Sequence, residues 1–204
     1  VANIPSAHDA ETLAFYARES GPYSARFHGD HASRITAFAR LLPQGAAVLE
    51  LGCGAGGDTL ALRARGFTVT ATDGSPEMAA EAERRTGASV AVMRFDELDR
   101  DAAFAGVWAN ACLLHVPDTA LESVLARIHR ALAPGGTFYS SWKSGNGPDR
   151  DRLGRYYNFP SELRLRSAFA TAGAWRRLDI DSTLGAGYCG DPANWLHVLA
   201  EKAG

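Results

Sequence analysis

Cysteine is scarce in this chain. Only Cys53, Cys112 and Cys189 occur among 204 residues, and no two of them form a C-x-x-C pair. That excludes a disulfide framework and a thiolate zinc site, and it makes the reducing cytoplasm the expected compartment. Long apolar runs are missing as well. No segment approaches the ~18 residues of a membrane helix, and the opening residues lack the basic stretch and apolar run of a signal peptide, so neither is expected. Net charge is small: 21 Lys and Arg against 23 Asp and Glu leave −2. With no basic stripe interleaved with aromatics, nucleic acid and anionic membranes are not expected partners. His28 and His31 stand at i, i+3 without an apparent third ligand, and no metal is expected. Repeats and low-complexity tracts are absent too. What remains is an ordinary globular composition, 46% hydrophobic and 22% charged, which can bury a core of its own. The arginine-dense stretches 150–155 and 164–166 also carry acids and read as solvated surface.

The chain divides at about residue 46. Before it, residues 10–19 and 32–42 have helical spacing, separated by "SGPYSARFHGDH", where Gly21-Pro22 and Gly29 are strong breakers. From 46 on, strand and helix alternate. Strands are expected at 46–51, 67–73, 88–95, 105–113 and 136–142, and helices at 58–66, 75–87, 118–136 and 160–173. Ser75 and Pro76 supply an N-cap and a first helical position. "WRRLDIDS" and "NWLHVLAEK" could be the final strands. Near-continuously apolar strands alternating with helices predict an α/β, Rossmann-like, doubly wound and mostly parallel sheet with helices on both faces. Residues 1–45 form an N-terminal helical lid and 46–204 the ligand-binding domain. Ligands of such sheets bind beyond the carboxyl ends of the strands, near the switch in strand order. The glycine loop, Asp73, Asp96 and Asn110 all fall at such ends.

That loop is "ELGCGAGGD", 50–58. Gly52, Gly54 and Gly57 spell G-x-G-x-x-G, the spacing that holds a dinucleotide diphosphate; with Gly56 the run also fits G-x-G-x-G. Glu50 separates the readings. A carboxylate beside a diphosphate is repelled, whereas beside an ammonium or sulfonium it is favourable.

"VLELGCGAG" (48–56) resembles motif I of the class I S-adenosylmethionine (SAM)-dependent methyltransferases, and further motifs follow in that family's order. Asp73 stands where the family has its ribose-binding acid. "MRFDEL" (93–98) resembles the adenine-cupping segment, which implies that Asp96 accepts from the exocyclic amine while Phe95 packs. "NACLLHV" (110–116) resembles the segment near the transferred methyl, and "LAPGG" (132–136) the turn before the fifth strand. The resemblance covers about 46–142. At the fourth strand the family's acid is replaced by Phe104-Ala105-Gly106-Val107. "FYARESGPYSARF" (15–27) is similar to small methyltransferases labelled tellurite-resistance-like.

The resemblance implies a SAM-dependent methyltransferase acting on a small-molecule acceptor, with S-adenosylhomocysteine (SAH) as product, in a monomer or homodimer. The implied cofactor contacts are Tyr23, Glu50, Gly52, Cys53, Gly54, Gly57, Asp73, Gly74, Met78, Phe95, Asp96, Asn110 and Ala111. Cys53 is expected to lend a backbone N–H rather than a thiolate. Candidates for a catalytic base are His115, His28 and Tyr157. Trp142, Lys143, Tyr156 and Tyr157 are candidates for a substrate wall, Tyr16 for the lid, and Trp175 and Trp195 for core or a dimer surface. Two rivals stay open: an NAD(P)-dependent oxidoreductase, and a SAM-binding regulatory protein without turnover.

Overall fold

A computed structural model describes residues 6–26 and 31–204; His28 lies outside them. The chain opens with α1 (Ala10–Ala25) and α2 (Ala32–Ala39). Asp9 caps α1 by accepting from the Thr12 N–H. Contrary to the expected break at Gly21-Pro22, α1 runs through both residues. A proline costs one backbone bond inside a helix, and here packing of α1 against a later helix, together with the Tyr16, Tyr23 and Tyr188 ring contacts, carries the helix past it.

Then come β1 (Ala47–Leu51), α3 (Gly57–Arg63), β2 (Thr68–Asp73), α4 (Pro76–Thr86), β3 (Val90–Val92) and β4 (Phe104–Ala109). They are followed by α5 (Leu121–Ala131), β5 (Leu132–Lys143), the short β6 (Asp149–Arg150) and β7 (Tyr156–Tyr157), α6 (Glu162–Ala172), β8 (Trp175–Ala186) and β9 (Pro192–Lys202). Caps follow the sequence closely. Ser75 accepts from Met78 N–H, Gly87 ends α4 at φ +63°, and Ser161 accepts from Arg164 N–H. α5 is shorter than expected: it stops at Ala131, and Leu132–Gly135 join the strand side.

The sheet order is β3-β2-β1-β4-β5-β9-β8. The first five strands are parallel, and β9 and β8 run antiparallel at one edge. Order reverses between β1 and β4, which defines the switch point. Alternate residues of the central strands enter different cores, as period-2 geometry requires. Leu49, Leu51, Val107 and Ala109 join the large core with α5 and α6, while Val48 and Trp108 join the core with α2 and α3. The sheet is therefore covered on both faces. A Cβ on Gly106 would lie 2.7 Å from the Phe38 ring, so glycine there lets α2 seat directly on β4. Among the described residues no helix is long and apolar enough to cross a membrane.

Two expectations fail, the solvated surface at Arg155 and the substrate wall at Trp142. Arg155 is 1% exposed, gripped by Asp151 and stacked near several aromatic rings, because β6–β7 folds it beneath α1. Trp142 is fully buried on the α5/α6 side, with its indole N–H on Ser140 Oγ, so it walls no site.

Candidate active site

A cavity of about 920 Å³ opens at the carboxyl ends of β1, β2 and β4, where strand order reverses. That volume is near the top of the ~300–1,000 Å³ range of small-molecule sites. Its first wall is the glycine loop. Gly52, Gly54 and Gly56 hold φ of +62°, +54° and +77°, a region that L-residues adopt at a cost. A Cβ on Gly52 would meet Cys112 Cβ at 2.5 Å, and one on Gly56 would meet Thr86 Cγ2 at 2.4 Å. Gly57 has neither constraint and simply begins α3. The backbone therefore uses the G-x-G-x-G spacing rather than the dinucleotide spacing.

Asp73 ends β2 and reaches under this loop. Its Oδ2 accepts from Gly54 N–H at 3.0 Å and its Oδ1 from Ser75 N–H at 2.9 Å. Burial pushes its carboxyl up to about 6, against the opposing pull of the Ser75, Gly54 and Gly74 N–H groups. Four lone-pair sites on a carboxylate meet three donors, which leaves acceptor capacity toward the cavity. Cys53 differs from expectation: its N–H donates to Thr72 O at 2.8 Å, so it braces the loop against β2. Burial carries its thiol far above the ordinary range, which removes it as a nucleophile.

Glu50, 1% exposed, lies beneath the loop and accepts from Thr59 Oγ1 at 2.5 Å. Burial, with Asp58 and Asp73 nearby, raises its carboxyl to about 8. Asp58 was not singled out by sequence reasoning, because it reads as an ordinary first-turn acid of α3. In space it is central. Its Oδ2 accepts from Trp108 Nε1 at 2.9 Å and from Asn110 Nδ2 at 3.0 Å, and its Oδ1 lies 3.0 Å from His31 Nδ1. Burial alone would raise its carboxyl; the bonds from His31, Trp108 and Asn110 outweigh that and hold it below the usual range. Asn110 is fixed in turn by Ser141 Oγ at 2.6 Å, which also accepts from Ala111 N–H. Ala111 itself sits at φ +52°, where the chain turns sharply out of β4.

Other sequence candidates divide. Tyr23, Gly74, Met78, Phe95, Asn110 and Ala111 line the cavity. Asp96 does not: it turns to Arg94 Nε at 3.3 Å, while its neighbours Met93, Arg94 and Phe95 line the cavity. Tyr157 is likewise off the cavity, buried beside His115 and Phe159. Trp195, expected in core or at a surface, lines the cavity with His197, Tyr139 and Thr183. These are brought together by the antiparallel pairings of β9 with β5 and with β8, which local spacing cannot reveal.

His115 is on the cavity wall with both ring nitrogens engaged. Nδ1 lies 2.6 Å from Tyr156 O and Nε2 3.0 Å from the Tyr16 hydroxyl. A carbonyl can only accept, so Nδ1 carries the proton and Nε2 accepts from Tyr16. Tyr16 in turn accepts from Arg155 at 3.1 Å. Burial, with Arg155 and Lys143 nearby, lowers the imidazole to about 3. His115 is a neutral ring that aims the Tyr16 hydroxyl.

Known proteins resemble this chain in sequence and fold. A family model described as a methyltransferase domain matches residues 48–136. The chain is 40% identical over 103 residues to a trans-aconitate 2-methyltransferase of Variovorax paradoxus, covering 47% of this chain and 38% of that one. It is 36% identical over 114 residues to a carboxy-S-adenosyl-L-methionine synthase of Chromohalobacter salexigens, covering 51% and 42%. The chain thus spans about two-fifths of the length of these curated relatives. Among solved structures, Burkholderia thailandensis 1,6-didemethyltoxoflavin-N1-methyltransferase, with bound 1,6-didemethyltoxoflavin and SAH, superposes with a TM-score of 0.76 at 26% identity, covering 100% of this chain and 93% of that one. Haemonchus contortus phosphoethanolamine N-methyltransferase 2 in complex with SAM shares the fold, with a TM-score of 0.70 at 19% identity over 94% and 57% of the chains.

Proposed function

We propose that this chain is a class I SAM-dependent methyltransferase and transfers the SAM methyl group to a small-molecule acceptor in the cavity at its switch point. One observation carries the reading: three carboxyl side chains, Glu50, Asp58 and Asp73, converge on the glycine-loop end of a single cavity. Asp58, held ionised, and Asp73 would meet a diphosphate with like charge, whereas an ammonium and a sulfonium meet the opposite charge there and favour the ionised form of Glu50. That supports SAM over NAD(P).

The residues fit the cofactor in chemical type. Asp73 keeps acceptor capacity for ribose hydroxyls. Met78, Met93, Phe95 and Leu13 give apolar surface for a base. Gly54 leaves the loop open, with the Tyr23 ring 3.7 Å from where a Cβ would stand. Bound SAM supplies an activated methyl on a cationic sulfur. The chain's residues hold the acceptor in line with it and exclude water, which contributes up to roughly 7–11 kcal/mol in well-oriented reactions. α1, carrying Thr12, Leu13, Tyr16 and Tyr23 onto the cavity, acts as the lid. An acceptor that must lose a proton calls for a base within reach. His115, neutral and committed to Tyr16, positions that hydroxyl; His31, beside the ionised Asp58, is the better candidate to take a proton.

The relatives' own names differ in acceptor, and one names a synthase of a SAM derivative, so SAM is the shared chemistry. The test is transfer of labelled methyl from SAM to a panel of small acceptors. Product formation that disappears in Asp73→Ala supports the reading. Tight SAM binding with no transfer across the panel would favour a regulatory SAM-binding protein.

A further inference from the structure

We propose that the acceptor carries an oxyanion, a carboxylate or phosphate, and that Lys143 binds it in a chamber adjoining the main cavity; this rests on the methyltransferase reading. The chamber, of about 140 Å³, is lined by Lys143, Asp151, Arg155, Cys189 and Asp191 among others. At roughly 30 Å³ per water, that is space for on the order of four or five waters or one oxyanion group. Gly187 lines both the chamber and the main cavity. A Cβ on Gly187 would stand 2.4 Å from Lys143 Nζ, so glycine is what lets the ammonium reach the boundary between them.

Lys143 ends β5 opposite Trp195 of β9. Its Nζ lies 4.4 Å from the Tyr157 ring centroid and 5.7 Å from that of Trp195. Among the described residues it makes no side-chain hydrogen bond or ion pair. Burial, and then Arg155, lower its pKa. The nearby acids are already committed. Asp151 accepts from Arg155 Nε and Nη2 and from the Leu153 and Arg155 N–H groups, and exposed Asp191 faces Arg152 at 3.7 Å. Asp151 and Asp191 still favour its charged form, but neither pairs with it directly; a partly desolvated cation without a direct partner is costly, and an anionic ligand lowers that cost. The site is also polarised in the right sense. Carboxyl groups gather at the glycine loop, whereas the ammonium stands in the chamber that shares Gly187 with the main cavity. A cationic donor and an anionic acceptor would then each meet the opposite charge.

The test uses the chain's composition. Lys143 and Lys202 are its two lysines, and Lys202 Nζ donates to Leu132 O at 2.7 Å, which makes it an internal control. Protein with isotopically labelled lysine is titrated with succinate, phosphoethanolamine and neutral succinamide, with and without SAH, while the side-chain signals are followed by NMR. Succinate or phosphoethanolamine is expected to move the Lys143 signal saturably and raise its titration midpoint, leaving Lys202 unchanged; whichever acts identifies carboxylate or phosphate. Lys143→Gln should weaken that anion roughly tenfold or more, as for a lost hydrogen bond to a charged group, with SAH affinity unchanged and with Lys143→Arg restoring binding. A Lys143 signal untouched by both anions, an equal response to succinamide, or undiminished affinity in Lys143→Gln overturns the proposal. Failure of the wild-type chain to bind SAH would instead sink the methyltransferase reading; intact SAH binding with a silent Lys143 sinks this inference alone.

Discussion

At the scale of single residues, the buried carboxyl groups are the most exposed to test. Asp73→Ala should weaken SAH binding by about 1–3 kcal/mol, the range for lost hydrogen bonds to a charged group; unchanged calorimetric affinity in a folded variant would remove Asp73 from the cofactor site. Glu50 makes a prediction about pH. Its carboxyl is raised from 4.5 to about 8 in the folded chain. The fold therefore holds the proton more tightly than the unfolded chain does. That contribution is complete below about pH 4.5 and is lost as pH rises toward 8. Glu50→Gln should match the ligand-free wild type in thermal stability at the acid end of that window and exceed it at the alkaline end. It should also weaken SAM, whose cationic centres favour the charged carboxylate. Parallel melting-temperature profiles for the two proteins across that window would contradict the assignment.

At the scale of elements, the glycine loop separates two readings that the sequence left together. Gly52→Ala should cost about 2 kcal/mol or more, since it combines a left-handed backbone with a contact against Cys112 Cβ. Gly57→Ala should be neutral or stabilising by roughly 0.5–1 kcal/mol, because it only swaps glycine for alanine in the first turn of α3. Denaturant melts of the two variants check this; equal losses would restore the dinucleotide spacing. The order of elements from 46 onward was legible because capping and apolar patterning are local. Ser75, Pro76, Gly87 and Ser161 mark helix ends wherever the rest of the chain goes. The continuation of α1 through Gly21-Pro22 was not legible, because tertiary packing outweighs one missing backbone bond. Nor was the full length of β8 and β9, which depends on their pairing with each other.

At the scale of the whole molecule, the site is a product of the sheet's topology. Asp73 and the glycine loop could be read from sequence because each sits beside its own motif. Asp58 could not, since its partners arrive from β4 and from the start of α2, 50 residues downstream and 27 upstream. Asp96 shows the converse: the motif pointed to it, yet a neighbouring arginine turns it away from the cavity. Trp108 joins the two scales. It is fully buried against Phe38 and Tyr139, while its indole N–H holds Asp58. Trp108→Phe keeps an aromatic ring but loses the indole N–H and its fused ring, leaving a buried carboxylate short of a donor, so it should destabilise the chain by at least about 1–3 kcal/mol and reduce SAM affinity together with stability. Loss of stability alone, with cofactor affinity intact, would confine Asp58 to a structural role.

The most direct test of the central claim is a calorimetric titration of the wild-type chain with SAH and, separately, with NADH. The account predicts saturable one-site binding of SAH that Asp73→Ala weakens, and no binding of NADH. Binding of NADH with no response to SAH would contradict it.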